Sequence, residues 1–219
     1  MKSDSQLKTD IVEELTWDPE VTMPASQVGV IVKDGVVTLM GHPPSLAEKH
    51  AIERAAQRVD GVKALAVEME VKLAAGYERT DADIAQAAER ALEWNVLVPD
   101  GKIKVMVENG HVTLTGQTEW EYQRQAAYVA VHSLLGVVGV TNQVVVKPKV
   151  KTADIATKIE QALERQATRD ARHIQIIVNN GEVTLSGKVH SWAERRAAQG
   201  AAWSAPGVAN VVNHLLVQG

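Results

Sequence analysis

The 219-residue chain contains no cysteine and no phenylalanine. The first absence removes disulfides, thiolate catalysis and cysteine-based zinc sites from consideration. Long apolar runs are missing too: no stretch approaches the roughly 18 to 20 residues that a membrane-spanning helix needs. Neither sign of charge dominates, with 23 Lys and Arg against 27 Asp and Glu. The formal net charge is −4, which argues against nucleic acid as a partner. The first residues, Met1-Lys2-Ser3-Asp4-Ser5-Gln6-Leu7-Lys8, hold neither an apolar core nor a small-residue cleavage site, so the sequence reads as cytoplasmic. No Gly-x-Ser-x-Gly, P-loop or His-Glu-x-x-His is present, so no catalytic residue is assigned. The seven histidines, His42, His50, His111, His132, His173, His190 and His214, show no ligand spacing and read as surface residues.

What is present is repetition. Gly35-Val-Val-Thr-Leu-Met-Gly41, Gly110-His-Val-Thr-Leu-Thr-Gly116 and Gly181-Glu-Val-Thr-Leu-Ser-Gly187 align without a gap, 75 and then 71 residues apart. A Gly-Val pair follows each at the same distance, at Gly61, Gly136 and Gly207. These spacings suit small domains, which we place at 1–73, 78–148 and 152–219. Asp34-Gly35, Asn109-Gly110 and Asn180-Gly181 lie between period-two apolar alternations and predict two-residue hairpin turns.

A helix is predicted before each hairpin, from apolar residues four apart: Leu7/Ile11/Leu15, Ile84/Ala88/Leu92 and Ile155/Ile159/Leu163. A second helix follows it, opened by expected capping boxes at Ser45-x-x-Glu48, Thr118-x-x-Glu121 and Ser191-x-x-Glu194. Its expected inner stripe is small: Ala51/Ala55/Val59, Ala126/Ala130/Leu134 and Ala197/Ala201/Ala205. A closing strand carries Leu65/Val67/Met69/Val71, Val140/Val144/Val146 and Val211/Leu215/Val217. The fold class is therefore α+β: three tandem αββαβ modules, each a three-stranded mixed sheet covered on one face by two helices. The linkers, 74–80 and 148–151, are short enough to favour modules that touch. Open strand edges leave the oligomeric state undetermined.

The pattern Asn-Gly-x-Val-Thr-Leu-x-Gly, a helix, then Gly-Val-x-x-Val-x-Asn-x-Val resembles the BON domain. Module two carries it from Asn109 to Gly116 and from Gly136 to Val144, and module three ends in Gly207-Val-Ala-Asn-Val-Val-Asn213-His-Leu215. Module one departs, with Asp34 for the turn asparagine and Val67 for the closing one. The resemblance implies non-enzymatic modules linked to phospholipid surfaces, osmotic and envelope stress and, in some cytoplasmic relatives, potassium.

Five tryptophans stand beside three tyrosines. Trp17 and Trp94, at equivalent ends of the first helices, are expected to help close the core. Trp120 and Trp192, at the start of the second helices, are expected near solvent. The three modules carry −4, −2 and +2, so only the third is suited to anionic headgroups. Its cations are Arg165, Arg169, Arg172, Lys188, Arg195 and Arg196. The lipid-contact candidates are Trp192, Arg195, Arg196 and Lys188, with Trp120 in module two. No cofactor is expected, although a potassium ion held by backbone carbonyls would leave no side-chain signature. The expected partner is an anionic phospholipid surface; a cytoplasmic cation sensor and a chaperone-like scaffold are the alternatives.

Overall fold

A computed structural model describes residues 2–149, 154–165 and 174–218. Each module runs helix, strand, strand, helix, strand. Module one comprises α1 (Asp4–Trp17), β1 (Gly29–Lys33), β2 (Val36–Gly41), α2 (Leu46–Arg58) and β3 (Ala64–Met69). Module two comprises α3 (Asp81–Glu93), β4 (Ile103–Glu108), β5 (His111–Thr118), α4 (Glu121–His132) and β6 (Gly139–Val146). Module three comprises α5 (Ile155–Arg165), β7 (Ile174–Asn179), β8 (Glu182–Val189), α6 (Trp192–Trp203) and β9 (Asn210–Val217). The sheets have orders β1-β2-β3, β4-β5-β6 and β7-β8-β9. The hairpin pairs β1/β2, β4/β5 and β7/β8 are antiparallel, and the closing strands β3 and β9 run parallel to β2 and β8.

The turns form as their residues dictate. Both central residues have positive φ: 53° and 80° at Asp34-Gly35, 51° and 74° at Asn109-Gly110, 48° and 84° at Asn180-Gly181. That is the type I′ geometry matching strand twist, and Asn, Asp and Gly tolerate it best. A carboxylate at the start of the first helix braces the turn. Asp81 accepts from the backbone N–H groups of Asn109 and Gly110, both at 2.8 Å. Asp4 does the same for Asp34 and Gly35, at 3.0 and 3.3 Å. Module three has Thr152 at this position, outside the described residues.

The helical stripes Leu7/Ile11/Leu15, Ile84/Ala88/Leu92 and Ile155/Ile159/Leu163 are buried against Val37/Leu39, Val112/Leu114 and Val183/Leu185 respectively. Each fully buried Leu or Ile contributes roughly 1.5–3 kcal/mol, so these stripes anchor the helices. The second helices bury Ala51, Ile52, Ala55 and Ala56, then Ala126, Ala127 and Val131, then Ala198, Ala201 and Ala202. Ala201 and Ala205 are buried as expected, but Ala197 is exposed, and Ala198 and Ala202 from the neighbouring column of alanines complete the buried face. Val71 also departs from expectation. It lies beyond β3 and packs, with Leu46, against the core of module two.

The expected capping boxes are revised as well. Ser45 and Ser191 do cap, accepting from Glu48 N and Glu194 N. Their glutamates turn elsewhere, Glu48 to Thr22 and Met23 and Glu194 to the N–H of His190. Thr118 ends β5, so the residue before α4 is Trp120. At α3, Thr80 and Asp83 form a complete capping box.

The chain divides into two compact units: Met1–Thr118 with Tyr122–Val145, and Glu119–Glu121 with Val146–Gly219. Modules one and two therefore form one body, joined through Leu46 and Val71.

Candidate functional site

In module three, the sequence-selected residues divide between framework and surface. The Arg195 guanidinium donates from Nε to Leu215 O and from Nη2 to Asn213 O, both at 3.1 Å, and lies 5.4 Å over the partly buried Trp192 ring. This side chain ties α6 to β9. Asn213 completes the tie, accepting from Leu215 N and donating to Gln199 Oε1. Lys49 occupies the equivalent position in module one and donates to Met69 O at 2.9 Å. In module two, Asn142 joins Arg124 O to Val144 N in the manner of Asn213. The closing asparagine of the repeat is thus a helix-to-strand clasp that module one lacks. Lys188, Arg196 and Arg165 face solvent, and Arg169 and Arg172 lie outside the described residues. Trp120 is 36% exposed.

Trp17 and Trp94 do not close the core. They are 85% and 89% exposed. Each follows its last inward leucine by two residues, and at 100° per residue that is about 200° around the helix, away from the sheet. Beyond Trp94 the chain exposes Val96 (96%) and Leu97 (51%). Asn95 shapes this segment by accepting from Leu97 N through its side chain at 3.0 Å. Three large apolar side chains within four residues thus project from the end of α3.

The third feature lies between modules one and two. Leu46 and His50, one turn apart on α2, face module two; Tyr128 and His132, one turn apart on α4, face back. The rings stack, with centroids 6.1 Å apart for His50–Tyr128, 5.4 Å for Tyr128–His132 and 5.8 Å for His50–His132. Two histidines read as surface residues are therefore half-buried interface residues. Burial pushes the His50 imidazole below its ordinary pKa, helped by His132, Arg54 and Lys49. Burial raises Glu53 and Tyr128 above their usual values. The i, i+4 spacing of Tyr128 and His132 is visible in the sequence; the partner across the boundary is not.

Among the described residues no group of three or more His, Asp or Glu could hold a metal, and no helix is long and apolar enough to cross a membrane. The fold defines a class: repeated small α+β modules whose buried polar groups serve the framework. The BON domain family model matches three times, at residues 3–72, 80–148 and 151–219, and the chain belongs to that family. No curated protein matches it significantly. Among solved structures it is similar to CdsD, a structural protein of the type III secretion system of Chlamydia trachomatis. The identity is 16% over 96% of this chain and 91% of that one, with a TM-score of 0.26. A structure of the CdsD C-terminal domain gives 16% identity over 100% of both chains and a TM-score of 0.27. The PrgH periplasmic domain gives 11% over 88% of this chain and 96% of that one, with a TM-score of 0.22.

Proposed function

We propose that the chain is a non-enzymatic binding protein that docks on phospholipid surfaces through repeated weak contacts. The observation that carries this reading is the exposure of Trp94, Val96 and Leu97 on one short segment of module two. Folding does not account for it, and large exposed apolar groups mark contact sites. A tryptophan ring suits the headgroup boundary because it is apolar with one polar edge. Burying an aliphatic side chain contributes about 1.5–3 kcal/mol, enough for a reversible contact that a second contact would strengthen. Trp17 offers the same chemistry in module one. Lys188 and Arg196 of module three offer electrostatic attraction to anionic headgroups, at about 1 kcal/mol per cation near the surface. Arg195 serves the framework by holding α6 on β9, with the Trp192 ring beneath its guanidinium.

The test is co-sedimentation with phosphatidylcholine and with phosphatidylglycerol vesicles. Trp94→Ala with Val96→Ser and Leu97→Ser should lower partitioning into both by at least about tenfold, one factor of ten being 1.4 kcal/mol. Lys188→Ala with Arg196→Ala should lower only the salt-sensitive, phosphatidylglycerol-dependent part. Partitioning unchanged by both sets would remove this function.

A further inference from the structure

We propose that the outer edge of β4 is a docking groove for an extended peptide of a partner protein, one carrying apolar and basic side chains, bound by strand addition. The backbone supplies the first argument. Gln117 N donates to Lys102 O, and Lys102 stands opposite Gln117 in the register that pairs Ile103 with Gly116 and Val105 with Leu114. Because antiparallel ladders alternate, Lys104, Met106 and Glu108 then bond to β5, while Ile103, Val105 and Val107 turn their N–H and C=O groups outward. β4 is the terminal strand of its sheet, and among the described residues no further strand pairs with that edge. A row of unpaired backbone donors and acceptors is the template that strand addition uses.

Shape supplies the second argument. An open groove of about 590 Å³ runs between this edge and α3, with Glu89, Leu92 and Glu93 on the helical wall and Ile103 and Val105 on the strand wall. Module one shows how such space can be filled: its α1–β1 connection packs Val21, Met23 and Ala25 onto the core. The corresponding connection of module two packs only Val98 inward. A six-residue edge at about 3.3 Å per residue admits an incoming strand of five or six residues.

Charge selects the occupant. Glu89, Glu93 and Asp100 line the groove against the single cation Lys104, so its rim is acidic. Alternation on the incoming strand sends one set of side chains toward α3, where lysines lay their aliphatic stems over Leu92 and their ammonium groups against these carboxylates. It sends the apolar set to the outer sheet face beside the exposed Met106. A second copy of this chain would bring another β4 with the same acidic groove, which like-charge repulsion disfavours.

The probe is an acetylated, amidated Val-Lys-Val-Lys-Val-Lys peptide added to the full chain without lipid, with a Val-Glu counterpart as control. Binding is followed by amide NMR and by exchange protection. The expected result is saturable binding of the lysine peptide alone, with protection appearing at the amides of Ile103, Val105 and Val107. Val105→Pro removes an outward N–H while sparing the ladder to β5, and should abolish binding. Glu89→Lys with Glu93→Lys alters no backbone group and should weaken it about tenfold, two surface charge contacts being reversed. Equal binding of both peptides, shifts confined to β6, or binding untouched by the charge reversal would overturn the proposal. Self-association through β4 without peptide, removed by Val105→Pro, would also overturn it by making a second copy the occupant.

Discussion

The Tyr128 hydroxyl lies 3.3 Å from Nε2 of His50, joining α4 of module two to α2 of module one. The stack leaves little room for a proton on His50. Around it stand Tyr128 and His132 from α4, and Lys49, Glu53 and Arg54 on its own helix, so most of the nearby charge is positive. Its pKa lies below the ordinary value of 6.5, first because burial disfavours the charged form. Between that lowered value and 6.5 the unfolded chain binds the extra proton, so stability is complete above 6.5 and lost as pH falls through the window. Glu53 acts oppositely: its pKa is raised above 4.5, and from 4.5 up to that raised value stability falls as pH rises. Thermal melts from about pH 8 down to about pH 5 should show the melting temperature of the first unit falling below neutrality. His50→Gln should flatten that slope and Glu53→Gln should leave it in place. Identical slopes in wild type and His50→Gln would show that the stack does not sense protons.

Glu48 is 5% exposed, yet its carboxylate is fully employed. It accepts from Thr22 N at 2.7 Å, Met23 N at 2.6 Å and Thr22 Oγ1 at 2.9 Å. This fastens the α1–β1 connection to the start of α2. Glu48→Ala leaves two backbone donors without their acceptor in a partly buried place and should cost about 3 kcal/mol in urea unfolding. Glu48→Gln keeps one acceptor oxygen and should cost about half of that. An alanine variant as stable as wild type would mean that water replaces the carboxylate.

Gly116 and Gly101 make a controlled pair. Both have positive φ, 136° and 63°. A Cβ at Gly116 would lie 2.1 Å from Lys102 O, whereas at Gly101 nothing stands within 4 Å. Gly101→Ala should cost only the left-handed backbone penalty, about 1–2 kcal/mol. Gly116→Ala must also push β4 from β5 and should cost more than about 3 kcal/mol. Equal costs would show that the second glycine of the Gly-x-Val-Thr-Leu-x-Gly motif is kept for its dihedral alone.

The parts legible in the sequence were those governed by local chemistry. Asn-Gly and Asp-Gly turns have one favoured geometry, and fourfold spacing of Leu and Ile fixes which face of a helix is buried. Threefold recurrence then made the architecture firm. Trp17 and Trp94 lie two residues past Leu15 and Leu92, about 200° around the helix, and that angle turns each outward whatever its bulk. Ala197 is exposed for a different reason: in an alanine-rich helix adjacent columns look alike, and the sheet chooses between them. The His50–Tyr128–His132 stack and the β4 groove depend on which surfaces meet, or fail to meet, at long range. No spacing within one module encodes that.

Asp81 tests whether the hairpin turn depends on the helix beside it. Its two oxygens accept from Asn109 N and Gly110 N, both at 2.8 Å, while Asp81 is itself the first residue of α3. There its charge also favours the helix dipole. Asp81→Asn keeps one acceptor and removes the charge; Asp81→Ala removes both. The expected costs are about 1 kcal/mol and about 2–3 kcal/mol in urea unfolding. Amide exchange at Gly110 should quicken in the alanine variant more than at Gly101, which Asp81 does not touch. If both amides respond alike, the carboxylate stabilises α3 alone and the type I′ turn holds itself.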